Sequence, residues 1–141
     1  MFRDSFGVEA FFRSAAKDQA NIRLAIHPST AGWKLMGETE LEVDGDGVIR
    51  LPVVVTLSPP KARGKRPADV VFYQVAAHEL GHALGLPHSS DPRSIMCCMR
   101  GSVNFSDLAT RNAYIAARQH PDLRSVKAEL IEHYEAFWKS H

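Results

Sequence analysis

The chain has 141 residues, enough for one domain with a sizeable core. Its 17 basic and 16 acidic residues leave a net charge of +1, which argues against a nucleic-acid partner, and no apolar run is long enough to span a bilayer. The two cysteines, Cys97 and Cys98, are adjacent, so a bridge between them would be strained and staple no loop, and no further Cys accompanies them to build a metal site.

Residues Phe6 to Lys17 set Val8, Phe11, Phe12, Ala15 and Ala16 at spacings near three and four, which predicts an amphipathic packing helix. Asn21 to His27 alternates Ile22, Leu24 and Ile26 with Asn21, Arg23 and Ala25, the period of a half-buried strand. His27 reads as a surface histidine, and Pro28 to Gly32 as a loop. Trp33 to Val43 and Val48 to Leu57 then read as two strands joined through Asp44-Gly45-Asp46-Gly47. That acidic turn lacks the spacing of a calcium loop, and no calcium is predicted. Val53-Val54-Val55 has the composition of an interior strand, and Pro52, which cannot donate a ladder hydrogen bond, predicts a bulge or strand end beside it.

Lys61, Arg63, Lys65 and Arg66 stand among Pro59, Pro60, Gly64 and Pro67 and read as a solvated loop with no partner. A helix starts at Ala68 or Asp69, with Tyr73, Ala77, Leu80 and Leu84 expected on a core face and Val75, His78 and His82 on a face that opens to a cleft. Ser106 to His120 is expected to form a further helix, capped by Ser106 and stopped by Pro121. Residues 122–140 carry Leu123, Val126, Leu130, Tyr134 and Phe137 at helical steps, with Trp138 adjacent. This stripe is expected to pack on the body of a monomer, with a contact to a partner or a second copy as the alternative.

Two histidines four apart, His78 and His82, lie about one turn from each other on one helix face, so both imidazoles can reach one cation. Zinc is its natural identity, and Glu79 is placed to act on a metal-bound water instead of ligating. Gly85 can end the helix in a left-handed turn that brings His88 back. Three imidazoles leave the fourth tetrahedral position for water, the arrangement of a hydrolytic zinc site.

The whole run His78-Glu79-Leu80-Gly81-His82-Ala83-Leu84-Gly85-Leu86-Pro87-His88, followed by Ser89 and later Met96, resembles the metzincin clan of zinc endopeptidases, and within it the matrixin family. The resemblance is strong from about Phe72 to Met96, weaker before and absent for the last helix. It implies an α+β fold: a metzincin-like zincin catalytic domain with a small twisted mixed β-sheet packed on the N-terminal helix and the active-site helix, and C-terminal helices after the Met-turn. Residues 1–96 would form the upper part of that single domain and 97–141 its helical lower part.

The same resemblance implies one catalytic Zn2+ held by His78, His82 and His88, Glu79 as general base and acid, and Met96 as an apolar support beneath the ligands. It also implies an edge strand along Gly37, Glu38, Thr39, Glu40 and Leu41 that captures an extended peptide by strand addition. The acids Glu38, Glu40 and Glu42 read either as a preference for basic substrates or as a solvated face. Cys97 either lines the specificity pocket or is simply buried, and the segment near Tyr114 shapes the depth of that pocket. Vertebrate matrixins also carry a structural zinc and calcium ions, but His27 is the only histidine before His78, so a single zinc and abbreviated loops are expected.

The expected function is endopeptidase action on a peptide or protein substrate. Its alternatives are a zinc-bearing module that captures peptides without turnover, and an intracellular peptidase with a dedicated substrate. Family members are usually secreted and latent, whereas the first residues here lack signal-peptide order. That leaves localisation open, together with the choice between a mature domain, a truncated one and a form without a pro-segment.

Overall fold

The computed structural model describes residues 15–28, 35–121 and 126–141. The expected first helix falls outside this set over 6–14, as does Trp33; Ala15 and Ala16 are not helical and Lys17 opens a turn. Among the described residues the chain is mixed α and β, with strands β1 (Ile22–Ile26), β2 (Gly37–Glu40) and β3 (Val53–Leu57) and helices α1 (Ala68–Ala83), α2 (Leu108–Gln119) and α3 (Lys127–Ser140). No helix among them is long and apolar enough to cross a membrane.

The sheet has the order β1-β3-β2, with β1 parallel and β2 antiparallel to β3. β3 is central, in keeping with its β-branched and apolar composition, and Val53, Val55 and Leu57 point into the core at no more than 2% exposure. It begins directly after Pro52, where a ladder donor is missing. β2 and β3 are shorter than the sequence suggests. Regular pairing ends at Glu40 opposite Val54, and beyond it only an isolated bridge joins Val43 to Ile49 around the acidic turn. There the Asp44 carboxylate accepts from the Asp46 and Val48 backbone N–H groups, both at 2.9 Å, so a side chain takes donors that a ladder would use.

β1 departs from its expected half-burial. Its register sets Ile22, Leu24 and Ile26 beside Val53, Val55 and Leu57, on the same face of the sheet. Yet α1 lies over β2 and β3, so at the outer edge only Ile22 joins the core while Leu24 and Ile26 stay 56% and 53% exposed.

α1 separates two apolar clusters. Phe72, Val75, Ala76 and Ala83 meet the sheet residues Val53, Val55 and Leu57. Ala77 and Leu84 instead meet Leu86, Ile95 and Met96 from the following loop, together with Val126, Leu130 and Tyr134 from the C-terminal segment. A helix buried on two sides has no single core face, which corrects the expected division: Tyr73 is exposed, and Val75 belongs to the sheet core as well as to the cleft. The cap of α2 is also corrected. Asp107, not Ser106, precedes the helix and accepts from the Thr110 backbone N–H at 2.7 Å, a bond that holds its carboxyl below the usual range. α3 packs on the body as expected, with Leu130 fully buried and the Tyr134 hydroxyl donating to the Leu84 carbonyl at 2.9 Å.

Candidate metal centre

The end of α1 shows how the third histidine returns. Leu86 N–H donates to the Gly81 carbonyl at 3.0 Å and Gly85 N–H to that of His82 at 2.8 Å, the paired bonds of a Schellman turn. Gly85 sits at φ +94°, a conformation that side chains disfavour, and a Cβ there would also press on His133. The chain then doubles back. Ser89 N–H donates to the Met96 carbonyl at 2.8 Å, closing the loop that carries His88 over the helix.

As a result the Nε2 atoms of His78, His82 and His88 face one another at 3.1, 3.1 and 3.2 Å. Two of the three rings have fixed tautomers. His78 Nδ1 lies 2.8 Å from the Ile95 carbonyl and His82 Nδ1 2.7 Å from that of Leu86, and because a carbonyl only accepts, both Nδ1 atoms carry the hydrogen. Their Nε2 atoms are therefore bare lone pairs in the neutral state, and two lone pairs cannot bond each other. A cation resolves the repulsion. Tetrahedral zinc with ligands at about 2.0–2.1 Å requires ligand spacings of roughly 3.3–3.4 Å, so the three nitrogens stand within a few tenths of an ångström of a zinc triangle. Among the described residues these three side chains form the group that could hold a metal ion. Burial, followed by repulsion from neighbouring imidazoles, pushes His78 below its ordinary range, and His88 at the mouth is lowered in the same way.

Glu79 is 7% exposed and points from α1 toward β2. Thr39 donates its hydroxyl to Glu79 Oε2 at 2.6 Å and lies 3.0 Å from the Glu79 carbonyl. Gly37 makes room for the carboxylate, since a Cβ there would stand 2.7 Å from Glu79 Cγ and 3.0 Å from Oε1. On the other side of α1, Met96 is fully buried against Gly81, where a Cβ would overlap its sulfur and lie 3.1 Å from its Cε. Glycine between the two helical histidines thus permits a close approach.

The structure brings Gly37 and Thr39 to Glu79, whereas Glu38 and Glu40 alternate outward into solvent and Leu41 lies past the end of β2, exposed. The alternating acids therefore form a solvated face. Cys97 is 4% exposed and lines the cavity beside Glu79, and its sulfur is bonded to that of Cys98, a bridge between neighbours that the sequence argued against. Tyr114 lines the same cavity, as expected of its segment. Arg63, Arg66 and Arg118 do so as well, and the sequence reading missed them. The only signal available was the basic run before α1, which by itself looks like an ordinary solvated loop.

Comparison with known proteins points the same way. The family model described as matrixin matches residues 9–115. The chain is similar to macrophage metalloelastase of Oryctolagus cuniculus, 53% identical over 35 residues, which cover 25% of this chain and 8% of that protein. It is similar to matrilysin of Felis catus, 61% identical over 31 residues, covering 22% of this chain and 12% of the relative. Interstitial collagenase of Aquarana catesbeiana is 52% identical over 40 residues, or 27% and 10% of the two chains. The matched stretch is thus about a tenth of the length of each of these curated relatives. No solved structure matches the chain.

Proposed function

The chain belongs to the matrixin family, and on that premise we propose that it is a zinc-dependent endopeptidase acting on extended polypeptides. The observation that carries the reading is the convergence of His78, His82 and His88 at 3.1 to 3.2 Å with the buried Glu79 carboxylate alongside. Zinc held by the three imidazoles would supply a Lewis acid for the scissile carbonyl and lower the pKa of water. The rest is the work of this chain's own groups.

Backbone carbonyls of Ile95 and Leu86 hold the His78 and His82 rings with Nε2 toward the site. Met96 lies beneath them as an apolar floor, reached through the gap at Gly81. Thr39 fixes Glu79 Oε2, which leaves Oε1 to accept a proton from the attacking water and return it to the departing amine. Among the described residues β2 is an edge strand, so the backbone groups of residues 37–41 that do not pair with β3 are available to an added peptide strand.

The test is cleavage of a mixed peptide library by the zinc-loaded protein, with and without a chelator. Wild type is expected to cleave only without chelator, and Glu79→Ala to keep its zinc while losing about 10²- to 10⁴-fold in rate. Full activity in that variant, or binding of peptides with no products, would refute the reading.

A further inference from the structure

The cavity beside Glu79 has a volume of about 230 Å³, and a second hollow of about 230 Å³ adjoins it through Arg63, Arg66, Tyr114 and Arg118, which line both. Lys65 adds a further positive charge to the second hollow. No carboxylate other than that of Glu79 lines either one. The cations come from two distant parts of the chain. Arg63 and Arg66 exchange backbone hydrogen bonds at 3.1 Å across a tight turn, which directs both side chains to the same side of it. Arg118 arrives from α2, with its guanidinium 3.5 Å from the centre of the Tyr114 ring.

Their partners are all neutral. Arg118 donates to the Cys97 carbonyl at 3.0 Å, Arg66 to Gln74 Oε1 at 3.0 Å, and Arg63 points at Met36 Sδ at 2.9 Å. Among the described residues, none of these arginines has a carboxylate partner, and neither does Lys65. Arg118 is only 8% exposed, and burial, with repulsion from Arg66 adding to it, lowers its pKa. A desolvated guanidinium with positive neighbours and no paired carboxylate among the described residues is a costly arrangement, and an anion seated between the arginines relieves it through charge-assisted, forked hydrogen bonds.

We propose that this basic cavity is a specificity pocket that takes the carboxylate of an aspartate or glutamate in the substrate, next to the bond that is cut. The pocket touches His78 and Glu79 on one side and the Met36–Gly37 end of β2 on the other, so it receives the side chain of a residue flanking the reacting carbonyl, on the side where the peptide passes that end of the edge strand. The inference rests on the endopeptidase reading and narrows it to acidic substrates.

The test has two arms, both on the zinc-loaded full chain. In the first, a degenerate peptide library is digested and the products are sequenced by mass spectrometry. Glu or Asp should be enriched at least tenfold over Gln or Asn at one position flanking the cut, and Arg66→Glu should invert that enrichment toward Lys. Cleavage with no acidic preference, or a preference that Arg66→Glu leaves unchanged, overturns the proposal while the endopeptidase reading stands. In the second arm, Glu79→Ala binds fluorescein-labelled hexapeptide amides bearing Glu, Gln or Lys at each position in turn. At one position the Glu peptide should bind at least tenfold tighter than its Gln counterpart, and the difference should shrink with salt and in Arg63→Ala. Equal affinities overturn the proposal. So does tight binding confined to a Gln hexapeptide made as the free acid for comparison, which would make the pocket a site for chain ends. If wild type cleaves nothing, the endopeptidase reading fails by itself and the ratio of Glu to Gln affinities decides on the pocket.

Discussion

Thr39→Val isolates what the edge strand contributes to Glu79. Valine keeps the shape and the β-branch, so the pairing of residue 39 with Val55 is retained while the donor to Glu79 Oε2 is lost. A hydrogen bond to a charged group contributes about 1.5–3 kcal/mol, and the 2.6 Å bond here lies in a partly buried setting where that range applies. If the bond serves to aim the carboxylate, its loss appears in the transition state and lowers kcat by about 10- to 150-fold, at about 1.4 kcal/mol per factor of ten. Thr39 touches none of the three imidazoles through its hydroxyl, so zinc content by elemental analysis should not change. KM should move little, because Thr39 faces the helix and not the open edge of β2. Thr39→Ser restores the hydroxyl and should recover activity to within about threefold. Steady-state kinetics on a fluorogenic peptide reads all of this. A Thr39→Val protein as fast as wild type, or a serine variant as slow as the valine one, would mean that Glu79 is aimed by something else.

The remaining predictions concern stability and metal. Gly81→Ala gains about 1 kcal/mol of helix propensity but forces a Cβ into the buried Met96 sulfur, an overpacking cost of about 1–3 kcal/mol, so a lower urea midpoint and weakened zinc binding are expected; an unchanged or raised midpoint would contradict the close contact. Because His78 and His88 are held below the ordinary imidazole value of 6.5, the metal-free native state resists protons that the unfolded chain accepts. Its stability should therefore be fully present above about pH 6.5 and fall as pH drops through the lowered values, and zinc affinity should fall over the same interval, as checked by denaturation and metal titration at stepped pH. A metal-free stability that does not fall below about pH 6.5 would refute the lowered values.

The legible part of the site was the part that is local in sequence. His78, His82 and the turn at Gly85 lie within one helix and its exit, so spacing alone predicts that they meet. The acceptors of the imidazole N–H groups are backbone carbonyls, and Ile95 comes from a segment whose path depends on the whole lower layer, so no residue type announces it. The basic cavity was hidden for a related reason: Arg66 and Arg118 are far apart in the chain and become neighbours only when α2 docks beside α1. Chance between equals decided the cap of α2, where Ser106 and Asp107 are both capping residues and only Asp107 is in register with the Thr110 N–H. The alternation in β1 gave the right face but could not say how far α1 extends over it.

The helix that the family resemblance does not reach is tied to the three-histidine cluster by contacts. The matrixin match ends at residue 115, yet Val126 and Leu130 are in the same buried cluster as Met96 and Ile95. Ser94, just before them, donates to Glu129 on α3 at 3.0 Å and accepts from the Met96 N–H at 3.1 Å. Tyr134 meanwhile closes on the Leu84 carbonyl, at the turn that carries His88. Two of the loops that set the imidazoles are thus each pinned to α3 by a hydrogen bond and by apolar packing. A segment with these contacts acts as part of the scaffold that holds the three imidazoles, because displacing it would free the Ile95 carbonyl that orients His78 and the exit of α1 that positions His88. Metal binding and the docking of α3 should on this account be linked, each favouring the other through the short loop between His88 and Met96.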